Sequence, residues 1–287
     1  MKGLLIRIAK PVVEYFPNLA ARYRYLRDGW QTGVVPGDTA LGFRFSGSQS
    51  MQDGEFEVEE TKLVRKLLPH ADAVINIGAN IGYYCCIALS VGKQVVAFEP
   101  ISRNLQYLLR NIKANGWGDE VEVFPLALSD KAGVIEIYGG GTMASLVKGW
   151  SGVSEQYVTL VPVSTLDQVL GTRFSGRRCL LLVDIEGAEL AMLKGALSFV
   201  ELNPKPIWLM EISTHEHQPE GVNINPNLLA TFQVFWSRGY EAWTADSQRR
   251  LVLQDELENI IRTGQDTLLT HNFLFIEQGR KWELLDS

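Results

Sequence analysis

Residues 74–100 read VINIGANIGYYCCIALSVGKQVVAFEP, and the fold is decided there. The opening, Val74-Ile75-Asn76-Ile77, is a short apolar run of the kind a buried parallel strand needs. A glycine turn follows, Gly78-Ala79-Asn80-Ile81-Gly82. Residues 83–91 read as a helix, and residues 94–98 as a second buried strand ending in Glu99-Pro100. Strand, glycine loop, helix, strand and acid in that order form the first half of a nucleotide-binding Rossmann-like unit. Glycines let the backbone approach a ligand without a Cβ in the way, and a helix that starts there has free N–H groups. Glu99, 21 residues after Gly78, falls where a carboxylate accepts hydrogen bonds from both hydroxyls of a ribose.

The loop is not the dinucleotide fingerprint G-x-G-x-x-G, whose second glycine makes room for a pyrophosphate. Asn80 holds that place. A side chain there suits a nucleoside without phosphates, of which S-adenosylmethionine is the common one. Two rivals stand beside this reading: an NAD(P)-dependent oxidoreductase on a similar sheet, and a glycine turn that merely packs a helix on a strand.

Working outward, 287 residues at 46% hydrophobic composition suffice for one sizeable core with an extension, or two small domains. A net charge of −6 leaves no footprint for nucleic acid. The cysteines, Cys85, Cys86 and Cys179, are odd in number and lack metal-ligand spacing, so the expected setting is reducing and cytoplasmic. No run approaches the ~18 apolar residues of a membrane span, and the start is too short in apolar residues for a signal peptide. Residues 1–30 carry +4, leaving −10 for the rest. Such a basic amphipathic start suits weak peripheral contact with an anionic membrane; the competing reading is a solvated helix packed on its own domain. No heptad or interface pattern sets the oligomeric state.

Upstream, residues 1–30 read as one or two helices broken near Pro11 and Pro17. Residues 41–45 suggest an edge strand, and residues 57–68 an amphipathic helix. Downstream come a helix over 105–115 and a strand over 121–124. Residues 134–138 and 157–163 form an antiparallel pair around a Gly-rich loop at 139–145. A strand at 179–183, a helix over 188–200, a strand at 207–212, a helix over 228–238 and strands at 241–243 and 273–276 complete the pattern. The tail from Gln278 reads as loose. Strands alternating with helices predict an α/β fold, a parallel sheet with helices on both faces. The boundaries follow: an N-terminal helical and loop extension at 1–55, a catalytic domain at 56–277 and a tail at 278–287.

Ligands of such sheets bind beyond the carboxyl ends of the strands. Glu99, Asp184 and Glu211 fall there, with Glu186, His215 and His217 close behind. Each acid taken singly is also explained by helix capping. Together they suit methyl transfer to an alcohol, in which His217 or His215, oriented by Asp184 or Glu211, removes the hydroxyl proton. A divalent cation held by Asp184, Glu211 and His215 would lower the hydroxyl pKa instead; the spacing does not choose. Trp150, Trp208, Trp236 and Trp243 lie near strand ends or loops, where they either stack on a sugar or fill the core.

With these residues in view, the chain resembles the FkbM family of S-adenosylmethionine-dependent methyltransferases from about Gly54 to Ile276. NIGANIGYY and VVAFEP resemble its cofactor half, as does Leu126-Ala127-Leu128-Ser129-Asp130. Ser164-Thr165-Leu166-Asp167 resembles its threonine-leucine-aspartate signature, and VDIEGAELAMLKGA (residues 183–196) with Leu209-Met210-Glu211-Ile212 its second half. The resemblance implies a class I methyltransferase sheet of about seven strands, the last antiparallel, with an inserted β-hairpin. It implies O-methylation of a sugar, glycolipid or similar small-molecule or glycan acceptor. It places Asn76, Gly78, Ala79, Asn80, Gly82, Glu99 and Ala127 at the cofactor and Asp184, Glu186 and Glu211 at the acceptor. Three positions depart from the family: Asn76 stands where Asp is usual, Leu182 where Lys is usual, and Cys85 where Thr is usual. Asn76 and Leu182 sustain a third alternative, a catalytically silent glycan-binding or scaffold protein.

Overall fold

The computed structural model describes residues 35–139, 144–152 and 158–280. The helices expected over 1–30, most of the Gly-rich loop and the end of the tail lie outside the described residues.

Strands β1 (Gly37–Asp38) and β2 (Arg44–Phe45) pair with each other in a small antiparallel ladder, so the piece expected at a sheet edge stands apart from the main sheet. Helix α1 (Gln49–Asp53) is capped by the Ser48 hydroxyl, and α2 (Val58–Leu67) buries Leu63, Val64 and Leu67. The decisive stretch follows as β3 (Ala73–Ile77), α3 (Tyr83–Ser90) and β4 (Gln94–Phe98). Next come α4 (Ser102–Ala114) and β5 (Val121–Phe124). A separate three-stranded sheet holds β6 (Ala127–Leu128), β7 (Gly133–Tyr138) and β8 (Val158–Ser164), with β7 and β8 antiparallel as expected of the insertion.

The second half contains α5 (Leu166–Leu170), β9 (Cys179–Val183), α6 (Glu189–Lys194), α7 (Leu197–Val200) and β10 (Ile207–Glu211). It closes with α8 (Leu228–Trp236), β11 (Tyr240–Thr244), β12 (Leu251–Val252), α9 (Gln254–Thr263) and β13 (Asn272–Glu277). The single helix expected over 188–200 is two. Asp167 accepts hydrogen bonds from Ser198 N and Phe199 N, both at 3.0 Å, and so starts a new helix at that point.

The main sheet runs β12-β11-β13-β10-β9-β3-β4-β5. From β5 to β10 neighbouring strands are parallel, and β13 is antiparallel to both of its neighbours. This is the class I methyltransferase order, with β12 a short eighth strand outside the expected seven. The two-residue side-chain period sorts each strand between two cores. Ile75, Leu181, Trp208 and Phe275 enter one; Val74, Leu182, Leu209 and Leu274 enter the other, which also takes Phe43, Phe45 and Met51 from the segment before α2. Each fully buried side chain of this kind contributes about 1.5–3 kcal/mol. The floor on which the strand-end residues stand is therefore packed on both faces.

Candidate active site

Two adjoining chambers open above the carboxyl ends of the parallel strands, sharing Gly78, Asn80 and Asp184. With their mouths and the adjoining open solvent included they measure about 580 and 660 Å³. The first lies between the ends of β4 and β5 and is lined by Glu99, Ile101, Asn104, Ala127, Leu146 and Glu186, among others. The second lies beneath the start of α2, where Glu57 and Glu60 face Tyr84, Leu182, Glu211 and Asn272.

Glu99 is 4% exposed. Its carboxylate accepts hydrogen bonds from Asn80 N and Ile101 N, both at 2.8 Å, and from Asn104 Nδ2 at 3.3 Å. Burial pushes its pKa up to about 7 against the opposing pull of those donors. One lone-pair direction of about four remains on Oε2, and displacement of the long Asn104 bond frees another on Oε1. That is the capacity a pair of ribose hydroxyls requires. Asn80, held at φ 49, keeps its amide oxygen buried and without a partner at the junction of the chambers. An orphaned acceptor beside a buried carboxylate fits a nucleoside carrying hydroxyl and amino donors.

The loop glycines serve the protein first. A Cβ on Gly78 would lie 1.8 Å from the Asp184 carbonyl oxygen, and one on Gly82 would lie 2.3 Å from Leu108 Cδ1. Both have positive φ. Gly82 caps α3 and lies outside both chambers, whereas Gly78 and Ala79 line the second and Ala127 the first. Asn76, 4% exposed, lines the second chamber and donates to Cys85 Sγ at 3.4 Å. Its cross-strand partner is Leu182. The two positions noted above as departing from the resembled pattern are thus neighbours on one wall, and both side chains are neutral.

Asp184 and Glu211 line the second chamber, and Asp184 is exposed within it. Removal from bulk water raises the pKa of Asp184, reinforced by Glu211 and Glu186. Burial, then Glu186 and Glu57, lift Glu211 to about 7. Glu186 turns to the first chamber at φ 53 and accepts from Trp150 Nε1 at 2.7 Å. The Trp150 ring covers Gly187, where a Cβ would meet it at 2.5 Å. Trp208 is fully buried in the core, and Trp236 and Trp243 pack against it in part, so core filling accounts for these three.

The histidines stand differently from expectation. His215 pairs with Asp266 at 3.4 Å, and His217 Nδ1 lies 2.9 Å from Ser151 Oγ. Neither is oriented by Asp184 or Glu211, and neither lines a chamber. The loop after β10 carries them outward past the strand end. Among the described residues no three His, Cys, Asp or Glu side chains are grouped to hold a metal ion, so the Asp184, Glu211 and His215 set does not converge.

Sequence reasoning missed Glu57, Glu60 and Glu189. Glu189, 3% exposed, accepts Gly187 N at 2.9 Å and fixes the turn that presents Glu186; burial raises its pKa to about 7. It was legible as a second acid three residues after Glu186. Glu57 and Glu60 carried no such signal, because only the fold brings the start of α2 over the sheet.

Strand order, glycine loop, buried strand-end acid and paired chambers together define a methyltransferase of class I architecture. A profile of the methyltransferase FkbM domain matches residues 76–242, more than half of the chain, and the protein belongs to that family. No curated protein sequence matches it. Among solved structures, methyltransferase FkbM from Methylobacillus flagellatus is 20% identical over 72% of this chain, with a TM-score of 0.44. The chain spans 44% of that protein's length. A putative O-methyltransferase from Klebsiella pneumoniae is 11% identical over 94% of both chains, with a TM-score of 0.42. Precorrin-6y C5,15-methyltransferase from Geobacter metallireducens is 10% identical over 80% of this chain and 90% of its own, with a TM-score of 0.40.

Proposed function

We propose that the protein is an S-adenosylmethionine-dependent O-methyltransferase acting on a hydroxyl of a sugar, glycolipid or similar natural product. The observation that carries this reading is the junction of the chambers. Glu99 and the orphaned Asn80 oxygen face one side, Asp184 and Glu211 stand on the other, and Gly78 lies between.

When bound, S-adenosylmethionine supplies a methyl group on a sulfonium, already activated for transfer. Glu99 would hold the ribose, and the loop from Gly78 to Ile81 would hold the cofactor's amino-acid end. The acceptor enters the second chamber with its hydroxyl against Asp184 and Glu211. A carboxylate with a raised pKa is a better proton acceptor than one in water, and such general base catalysis is worth ~10²–10⁴-fold. Asp184 or Glu211 would take the hydroxyl proton of the acceptor as its oxygen accepts the methyl group. The apolar walls formed by Leu182, Leu209 and Phe56 keep water out and hold the groups in line.

The test is transfer of an isotope-labelled methyl group to a panel of sugar-bearing acceptors. A labelled ether that survives mild base supports the reading. Label found only on nitrogen or carboxylate oxygen contradicts it.

A further inference from the structure

Helix α4 carries Asn104 and Asn111, and Asn115 caps its end. At 3.6 residues per turn these three lie within about 40° of one another, on one seam of the helix. Asparagine favours a helix little by propensity, and each of these amides reaches out to another segment. Asn104 Nδ2 donates to Glu99 at 3.3 Å. Asn111, fully buried, donates to Ile81 O at 2.9 Å and to Ser46 O at 3.3 Å, and accepts Ser46 N at 2.8 Å. Asn115 accepts Arg44 N at 2.8 Å and donates to Arg44 O at 2.7 Å. The seam thus stands in for a strand beside residues 44–46.

Asn111 is where two parts of the cleft meet. Ile81 closes the glycine loop, one peptide before Gly82, on which Leu108 of α4 already presses. Ser46 leads through the Ser48 cap into α1, whose Met51 lines the second chamber. Phe45 sets its ring edge against Tyr83, the first residue of α3, with ring centres 5.9 Å apart. Asn111 and Ser46 themselves line neither chamber. A buried amide whose hydrogen bonds all go to the backbone of these two segments acts on the site only through them. We propose that Asn111 is a positioning residue for cofactor binding: it ties the glycine loop to residues 44–51, so that the loop keeps its shape only while that segment is docked. This rests on the methyltransferase reading of the cleft. By linkage the effect is reciprocal, and a bound cofactor tightens the segment in turn.

The test combines calorimetric titration of the full chain with S-adenosylhomocysteine and amide hydrogen exchange with and without it. Asn111→Ser is set against Asn115→Ala, which frees Arg44 but leaves Ile81 held. Asn111→Ser, with unchanged far-ultraviolet circular dichroism, should weaken binding about tenfold, the factor that loss of a buried hydrogen bond brings. Asn115→Ala should leave the affinity unchanged. The ligand should slow exchange of Met51 N–H and Gln52 N–H, both bonded to Ser48, in the native chain and not in Asn111→Ser. A purely structural asparagine would move stability without that ligand-dependent difference. Unchanged affinity in Asn111→Ser, an equal loss in Asn115→Ala, or α1 amides indifferent to the ligand in the native chain overturns the proposal. If Asn111→Ser does not fold, Gly47→Ala decides, because a Cβ there would lie 2.5 Å from Phe45 Cε1 and 3.1 Å from Ile81 Cδ1. The same weakening is expected of it, and unchanged affinity contradicts the proposal. Failure of the native chain to bind S-adenosylhomocysteine counts against the methyltransferase reading instead. The ligand-free exchange then decides the coupling: Gly82 N–H, bonded to Ala79 O, should open faster together with the α1 amides in the variant, and equal rates overturn it.

Discussion

Asn76 and Leu182 pair across β3 and β9 on the chamber wall, so the two departures from the pattern that the sequence resembles meet at one place. Removing both members of a buried ion pair is often neutral, whereas removing one leaves an unpaired charge. Asn76 has also kept a partner, since its amide donates to Cys85. The expectation is that Asn76→Asp alone destabilises the fold by about 3 kcal/mol and Leu182→Lys alone by a similar amount. The double variant should recover much of the loss, with a coupling of about 1–3 kcal/mol in a double-mutant cycle from urea unfolding. Additive losses would show that the positions do not act as a pair. Glu99 was legible from its place after an apolar strand, because the strand end fixes its position whatever surrounds it. The histidines were not, since a loop after a strand end has no period from which to read a direction.

At the scale of elements, the contact between the β3–α3 loop and the end of β9 sets the junction of the chambers. Gly78 sits at φ 83 with the Asp184 carbonyl where its Cβ would be. Gly78→Ala therefore forces the loop away from β9. We expect a loss of at least about 2 kcal/mol in stability, read as a lower melting temperature, together with weaker cofactor binding. A variant with unchanged melting would mean that the approach is relieved by a small shift. The strands were legible because β3 and β9 are buried at every position, apolar at all but Asn76, and too short for buried helices. Ser164-Thr165-Leu166-Asp167 was legible as a motif but not as a device. Thr165 accepts Gln168 N to start α5, and Asp167 starts α7 about thirty residues on. Helix α9 was passed over although Leu257 and Ile260 lie three apart on its buried face and Gly264 closes it. The minor strand β12, two residues long, has no pattern to read.

For the whole molecule, the buried acids impose an unusual dependence on pH. Glu99, Glu189 and Glu211 are each lifted from 4.5 to about 7, chiefly by burial. A carboxyl that binds its proton more tightly when folded stabilises the fold below its unfolded pKa, and that stability is lost as pH rises through the folded value. Asp72, held down to about 2 by Arg178, acts in the opposite sense only below its ordinary 3.8. The ligand-free protein is therefore expected to melt several degrees lower at about pH 8 than at about pH 5, and Glu189→Gln should flatten the slope. A melting temperature that rises across this window would contradict the placement of these acids. Among the described residues no helix is long and apolar enough to cross a membrane, and both chambers open on the strand-end side of the sheet. The central claim is that this opening binds S-adenosylmethionine through Glu99. Calorimetric titration of the protein and of Glu99→Ala with S-adenosylmethionine, with and without Mg²⁺, tests it most directly. The account predicts saturable one-site binding, insensitive to Mg²⁺ and weakened about tenfold to a hundredfold or more in the variant. Equal affinity in the two proteins, or no binding to either, would contradict it.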